Sequence, residues 1–387
     1  MRPSTPQEER LGSLDAFRGL AIASMILVNN PGDWKHLYPA LAHAKWHGWT
    51  FTDTVFPFFL FIVGVSMALS TGRHAALGVP RGQLMAGLAR RALVVFALGF
   101  ALNLIPAFNW SAVRIPGVLQ RIALCSLLAA PLVLWAGWRM QVAAVVGLFV
   151  VYSAALLGVP VPGPDGVVAT GLLEPGRDTG AWIDRALMPG HLWVQSRTWD
   201  PEGVLGTLPA TGSVLLGALC GRWLGTSVAS ADKTVWMMLA GLALLGAGTV
   251  MDAALMPVNK SLWTPSYAVL MAGWALLVFA AFFWTMDAAP HPRLRAAVTR
   301  ACRPLVIYGV NALFLFVLSG FIAKMMGFIK IEQADGTRVS LRAWLYAPWR
   351  ELPLEPVQAS LAWAVVFNAV MFGVAWVMWR KRWFIKA

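Results

Sequence analysis

Three of the six histidines in this 387-residue chain fall in one stretch, NNPGDWKHLYPALAHAKWHGWTFTDTVFP, between Asn29 and Pro57. His36, His43 and His47 stand there with Asn29, Asp33 and Asp53, and strongly apolar runs flank the stretch on both sides. Imidazole, with an unperturbed pKa of about 6.5, moves protons near neutrality. Half the supply in one loop at the edge of an apolar run points to proton transfer or nucleophilic chemistry. Interfacial residues touching lipid headgroups would have the same composition. Asp53 follows His43 by ten positions, at the mouth of the next apolar run. It is a candidate to orient an imidazole, as the third group of a nucleophile–base system does. It is equally a helix N-terminal carboxylate answering the helix dipole.

Other ionisable residues lie within apolar runs, where charge is costly and marks candidate function. Arg18 follows Asp15 by three positions, so the two can pair on one helix face. Arg121, in RIPGVLQRIAL, needs an acceptor, either a carboxylate or a bound anion. Arg90 and Arg91 open the third apolar run with Arg73 and Arg81 upstream. They are a topological anchor or, since guanidinium forks suit phosphates, a grip on an anionic cofactor. In WDPEGVLGTLPA, Asp200 and Glu202 flank Pro201 beside Trp199. A flat ring next to carboxylates suits a sugar, and an interfacial Trp followed by a turn would read the same way. No P-loop, GxGxxG, HExxH or GxSxG occurs in a usable context. Cys125, Cys220 and Cys302 show no metal spacing and, being three, imply no disulfide framework, so no metal is expected.

The elements that must position these groups are membrane helices. The chain is 58% hydrophobic and 13% charged, about half the charge of a soluble domain. Apolar runs of roughly 17–25 residues recur along its length, too long for barrel strands. The fold class is an all-α polytopic membrane protein with about ten transmembrane helices. They are expected near 14–29, 51–70, 88–106, 116–135, 141–159, 204–223, 234–251, 265–285, 304–324 and 360–379. One integral-membrane domain over 1–387 is expected, with outer loops near 30–50, 160–203 and 325–359. The formal net charge of +13 fits lysines and arginines on the cytoplasmic side better than a nucleic-acid partner. An N-in, C-in topology gives that side about 17 Lys and Arg, against roughly 11 outside, and leaves only Lys35, Lys45, Arg114 and Lys260 in short outer loops. The histidine loop then faces away from the cytoplasm. The start of the chain shows no cleavable signal peptide.

Five stretches carry a resemblance: LDAFRGLAIASMILVNN, HAKWHGWTFTDTVFPFFLFIVG, RIPGVLQRIAL, WDPEGVLGTLPA and PVNKSLWTPSY, with weaker similarity through YGVNALFLF. In this order they resemble the heparan-α-glucosaminide N-acetyltransferase family, membrane enzymes that acetylate a terminal glucosamine with acetyl-CoA. The family's active histidine lies in His-Ala-x-Trp-x-Gly, here His43 to Gly48, which selects His43 over its neighbours. An asparagine ending the first matched helix belongs to the same site and falls on Asn29. The resemblance implies a transmembrane acyltransferase fold and a homodimer. The chain starts almost at the first matched span, as in bacterial relatives, so a bacterial inner membrane with the histidine loop toward the periplasm is expected.

The implied reaction moves acetyl from cytosolic acetyl-CoA to an amino sugar on the other side. His43 deprotonates the attacking amine or takes the acetyl group itself, and Asn29 stabilises the oxyanion. Arg90, Arg91, Arg121 and Arg18 are the cofactor-side candidates; Trp46, Trp199, Asp200 and Glu202 are those for the acceptor. The rival is a secondary transporter of amino sugars, with Arg18, Arg121 and Lys324 along its pathway. No internal repeat supports that rival.

Overall fold

The computed structural model describes residues 11–333 and 335–385; Arg2, Arg10 and Lys386, counted above for the charge bias, lie outside them. Each apolar run forms helix. The first five are α1 (Gly12–Asn29), α2 (Phe51–Ala76), α3 (Arg81–Leu104), α4 (Val118–Trp135) and α5 (Trp138–Gly158). The connection that follows is structured, with a small hairpin, β1 (Val161–Pro162) and β2 (Val168–Ala169), and a short helix α6 (Thr179–Leu187). Next come α7 (Thr207–Leu224), α8 (Ser230–Ala254) and α9 (Pro265–Phe283), the last prolonged by a π turn over Trp284–Ala288. A basic helix α10 (Pro292–Ala301) precedes α11 (Arg303–Val310) and α12 (Ala312–Phe328). A second hairpin, β3 (Lys330–Glu332) with β4 (Arg338–Ser340), leads to α13 (Leu341–Arg350) and α14 (Pro356–Arg380). Prolines 265, 292 and 356 open their helices where no N–H donor is needed.

The ten expected runs all fall on helix, and they differ in length and apolarity. Among the described residues seven helices are long and apolar enough to cross a membrane, and eight if α11 and α12 count as one. That pair bends by 80° at Asn311, so the run expected at 304–324 is a broken element. Helices α1 and α7 fall short because they carry polar groups: Asp15 and Arg18 in one, Thr207, Thr211, Ser213 and Arg222 in the other.

Those two less apolar helices are central. Helices α1 and α7 both pack on α2 and α9, and the apolar window of α2 is 67% buried against 17% for α3. Small residues let the backbones approach, as membrane helix contacts require. A Cβ on Gly64 of α2 would lie 1.9 Å from the Val214 carbonyl oxygen of α7, and one on Gly217 would lie 2.0 Å from that of Phe61. Polar side chains are tolerated in α1 and α7 because neighbouring helices, not lipid, surround them.

Candidate active site

The start of α2 builds the centre of the histidine loop. Thr50 is its N-cap and Asp53 occupies the third helical position, where its side chain reaches back to the cap. Asp53 Oδ2 accepts the backbone N–H groups of Thr50 at 3.1 Å and Ala44 at 3.0 Å. Its other oxygen, Oδ1, lies 2.7 Å from His43 Nδ1. The capping and orienting roles weighed for Asp53 are therefore held together, one by each oxygen. Tyr267 of α9 donates its hydroxyl to the Asp53 carbonyl at 2.6 Å, tying the start of α2 to the core. The Asp53 side chain is 1% exposed and the His43 side chain 47%. A carboxylate only accepts, so this contact puts the proton on Nδ1 and turns the Nε2 lone pair outward.

A third group enters from far along the chain. Lys260, in the α8–α9 loop, brings Nζ within 2.9 Å of His43 Nδ1, 3.4 Å of Nε2 and 3.3 Å of Asp53 Oδ1. Burial pulls this amine below the usual lysine pKa, while the charges of Asp53 and Glu202 pull it back up. The two loops are laced together: Gly48 N–H donates to the Val258 carbonyl at 2.8 Å, and His47 Nδ1 lies 3.4 Å from Asn259 Nδ2. Sequence reading counted Lys260 only as a charge in a short loop, although PVNKSLWTPSY was among the matched motifs. His36 is engaged elsewhere, with Asp33 at 2.8 Å.

Asn29 is the last residue of α1 and is exposed; among the described residues no hydrogen bond joins it to His43, Asp53 or Lys260. The aromatic candidates do meet. Trp46 and Trp199 stand edge to face with centroids 5.1 Å apart, and the Trp46 indole N–H donates to the Leu173 carbonyl at 2.6 Å. Trp193, not singled out from the sequence, joins them 5.4 Å from Trp199. The three half-buried rings make a patch that begins three residues from His43.

The charged candidates around this patch are more enclosed than the sequence suggested. Asp200 is gripped by Arg114 through both oxygens, at 2.8 and 2.6 Å, and Arg114 also bonds Glu202. The carboxylate side chains are 0% and 9% exposed, so neither is an open hydrogen-bond acceptor. Arg121 is 1% exposed, and its acceptors are the carbonyls of Pro201 and Gly203, at 2.8 and 2.9 Å. The carboxylate or anion expected for it is replaced by backbone, with the Trp263 ring 5.4 Å from the guanidinium carbon. Arg18 pairs with Asp15 at 2.7 Å and also donates to Ser66 at 2.8 Å. Lys324 donates to the Leu102 carbonyl at 2.5 Å.

Arg90 and Arg91 stand apart from all of these. They sit nine and ten residues into α3, which begins at Arg81 rather than near 88, and both are exposed. Among the described residues neither has a hydrogen-bond or ion-pair partner. No group of three or more His, Cys, Asp or Glu among the described residues is arranged to hold a metal. A cleft of about 490 Å³ adjoins the laced loops, lined by Gly48, Trp49 and Val258 and by Leu245, Leu270 and Trp274 of α8 and α9.

Comparison with known proteins bears on what this constellation does. Residues 10–189 match the family model described as heparan-alpha-glucosaminide N-acetyltransferase, catalytic. The chain is similar to the human heparan-alpha-glucosaminide N-acetyltransferase, with 29% identity over 331 residues, 72% of this chain and 49% of the relative. The mouse protein of the same description is 28% identical over 335 residues, with the same coverage. The chain thus spans about half the length of the curated relatives it matches.

Proposed function

We propose that the chain is a member of the heparan-α-glucosaminide N-acetyltransferase family, supported by the family-model match and the human and mouse relatives, and that it is a membrane acetyltransferase moving acetyl from acetyl-CoA to the amino group of a glucosamine or related sugar. One observation carries the reading: His43 is held by a buried carboxylate at 2.7 Å, with its half-exposed ring presenting the second nitrogen beside the Lys260 amine. A base needs this arrangement, because an oriented imidazole with a free lone pair removes a proton from an attacking amine. A nucleophile that accepts the acetyl group before passing it on needs the same one.

The acceptor sugar stacks on Trp46, three residues from His43 in sequence, and on Trp199, which is in contact with Trp46. Arg90 and Arg91, exposed and unpartnered among the described residues, take the CoA phosphates, since guanidinium forks match phosphate oxygens. Asn29 closes α1 and supplies an amide N–H to the reacting carbonyl once the substrates are bound. Arg18 and Arg121 act as internal ties that hold the helices around the site. The charge bias supports a non-cytoplasmic position for His43 with acetyl-CoA entering from the cytoplasm, and the family resemblance supports a bacterial inner membrane and a homodimer.

The transporter reading has one feature in its favour, the 80° break between α11 and α12. Its proposed pathway residues, however, are bonded to protein: Arg18 to Asp15 and Ser66, Arg121 to two carbonyls, Lys324 to another. The deciding experiment supplies labelled acetyl-CoA to purified protein with a panel of amino sugars, then repeats it in oriented vesicles. Label should appear on an amino sugar, and from cytoplasmic acetyl-CoA onto an impermeant sugar across the membrane. Uptake of free sugar without acetylation would replace the enzyme with the transporter.

A further inference from the structure

We propose that Lys260 is a catalytic residue of this site, its ammonium meeting the negative oxygen of the tetrahedral intermediate. The inference rests on the acetyltransferase reading and names a group that neither the histidine motif nor the sequence chemistry had assigned. Lys260 Nζ lies beside the His43 ring, 2.9 Å from Nδ1 and 3.4 Å from Nε2, the nitrogen that Asp53 does not contact. A base must lie within about 3 Å of the amine whose proton it takes. The carbonyl carbon under attack is bonded to that amine nitrogen, so its oxygen develops charge a few ångströms from Nε2. A cation already at that distance from Nε2 is within hydrogen-bond reach of it.

The lysine is fixed, which distinguishes it from a surface cation that swings into place. The neighbouring Asn259 is fully buried and its side-chain oxygen accepts the Leu262 N–H at 2.9 Å. The Lys260 carbonyl accepts the Trp263 N–H at 3.0 Å, and Gly48 is bonded to Val258 two residues earlier. The loop is thus pinned on both sides of Lys260 and to the histidine loop. A donor fixed before the reaction stabilises developing charge without reorganising. Asp53 Oδ1, 3.3 Å away, favours the charged form of the amine against the burial that pulls its pKa down.

The acceptor nitrogen bonds to the acetyl carbon, the carbonyl pair moves to oxygen against Lys260, and His43 Nε2 takes the amine proton. The C=O re-forms, the C–S bond breaks, and the CoA thiolate takes the proton back from His43. The products are the N-acetyl sugar and free CoA thiol.

The test uses the purified full chain with labelled acetyl-CoA and glucosamine, or the sugar the panel selects. Lys260→Met should lower kcat about 100-fold or more, the usual loss of one oxyanion donor, while acetyl-CoA affinity stays within about twofold. Lys260→Arg, which retains a cation, should recover part of that rate. The inference falls if Lys260→Met keeps kcat within about threefold of wild type. It also falls if both variants lose acetyl-CoA binding in step with activity, which marks a structural strut. A wild-type chain that transfers acetyl to no amine removes the acetyltransferase reading and this role with it; active wild type with an indifferent Lys260→Met removes only the role.

Discussion

Two charged clusters lie close along the chain's folded loops and are built from similar parts, yet only one leaves a reactive atom open. In the first, Asp53 is buried, Lys260 is 21% exposed and His43 is 47% exposed. In the second, Arg114 spans Asp200 and Glu202, and Arg121 is spent on two carbonyls. The first cluster has one carboxylate facing two nitrogen groups, so a nitrogen is left over. The second has two carboxylates on one arginine, and both are enclosed. Titratable residues in number do not make a site; an unspent partner does.

The largest effect should come from removing the open group. His43→Ala is expected to lower acetyl transfer by about 10³-fold, within the range for a lost acid–base group. Its melting temperature should stay at the wild-type value, because the half-exposed ring supports little packing. His36→Ala and His47→Ala should keep most of the activity, their rings being engaged with Asp33 and Asn259 instead. Substantial turnover by His43→Ala, measured with labelled acetyl-CoA, would make the two clusters equivalent and end the contrast.

The second cluster should respond in the opposite way. Arg114→Met leaves Asp200 and Glu202 enclosed without their cation, and breaking a buried pair from one side costs about 3–5 kcal/mol. The expected outcome is a clear fall in melting temperature, with acetyl transfer per folded molecule largely kept. Unchanged melting with lost activity would move Arg114 from scaffold to site.

How far these clusters were legible in the sequence follows from what a one-dimensional pattern encodes. The ten apolar runs all fall on helix, since each must bury its own side chains or meet lipid, while the short helices α6, α10 and α13 lie outside them. The break at Asn311 was invisible because hydropathy does not register an 80° turn. His43 and Asp53, ten residues apart, could be paired on paper. Lys260 lies 217 positions from His43, and nothing in periodicity says which loops meet at the end of a bundle. Asp200 and Glu202 were read as free carboxylates because their partner, Arg114, is 86 and 88 positions away. The Trp46–Trp199 contact was likewise beyond periodicity, although each ring had been marked individually.

A smaller effect is expected where positive charge is unspent. Replacing Arg90 and Arg91 together by Gln should weaken acetyl-CoA binding about tenfold, roughly the value of one charge-assisted hydrogen bond. Acceptor affinity should hardly change. Titration calorimetry or displacement of labelled acetyl-CoA would check this, and unaltered binding would leave the two arginines as topological anchors.

The smallest effect sharpens the closed cluster through pH. Asp184 of α6 is 2% exposed, and its Oδ1 accepts the Val204 N–H at 2.8 Å. Burial pushes its carboxyl up to about 7; the Val204 N–H and Arg121 work against that shift, and the neighbouring charges of Asp200 and Asp178 add to it. A carboxyl whose folded pKa lies above its unfolded value binds protons more tightly in the fold, so stability falls as pH rises between the two. The contribution should be complete below pH about 4 and lost as pH passes through about 7. Asp184→Asn keeps an oxygen for the Val204 N–H and cannot ionise. Its melting temperature should match wild type below pH about 4, exceed it by a few degrees at pH 8, and show a flatter profile between. Parallel profiles for the two proteins across that interval would mean that Asp184 is ionised throughout, held by Arg121 in the same way that Arg114 holds Asp200.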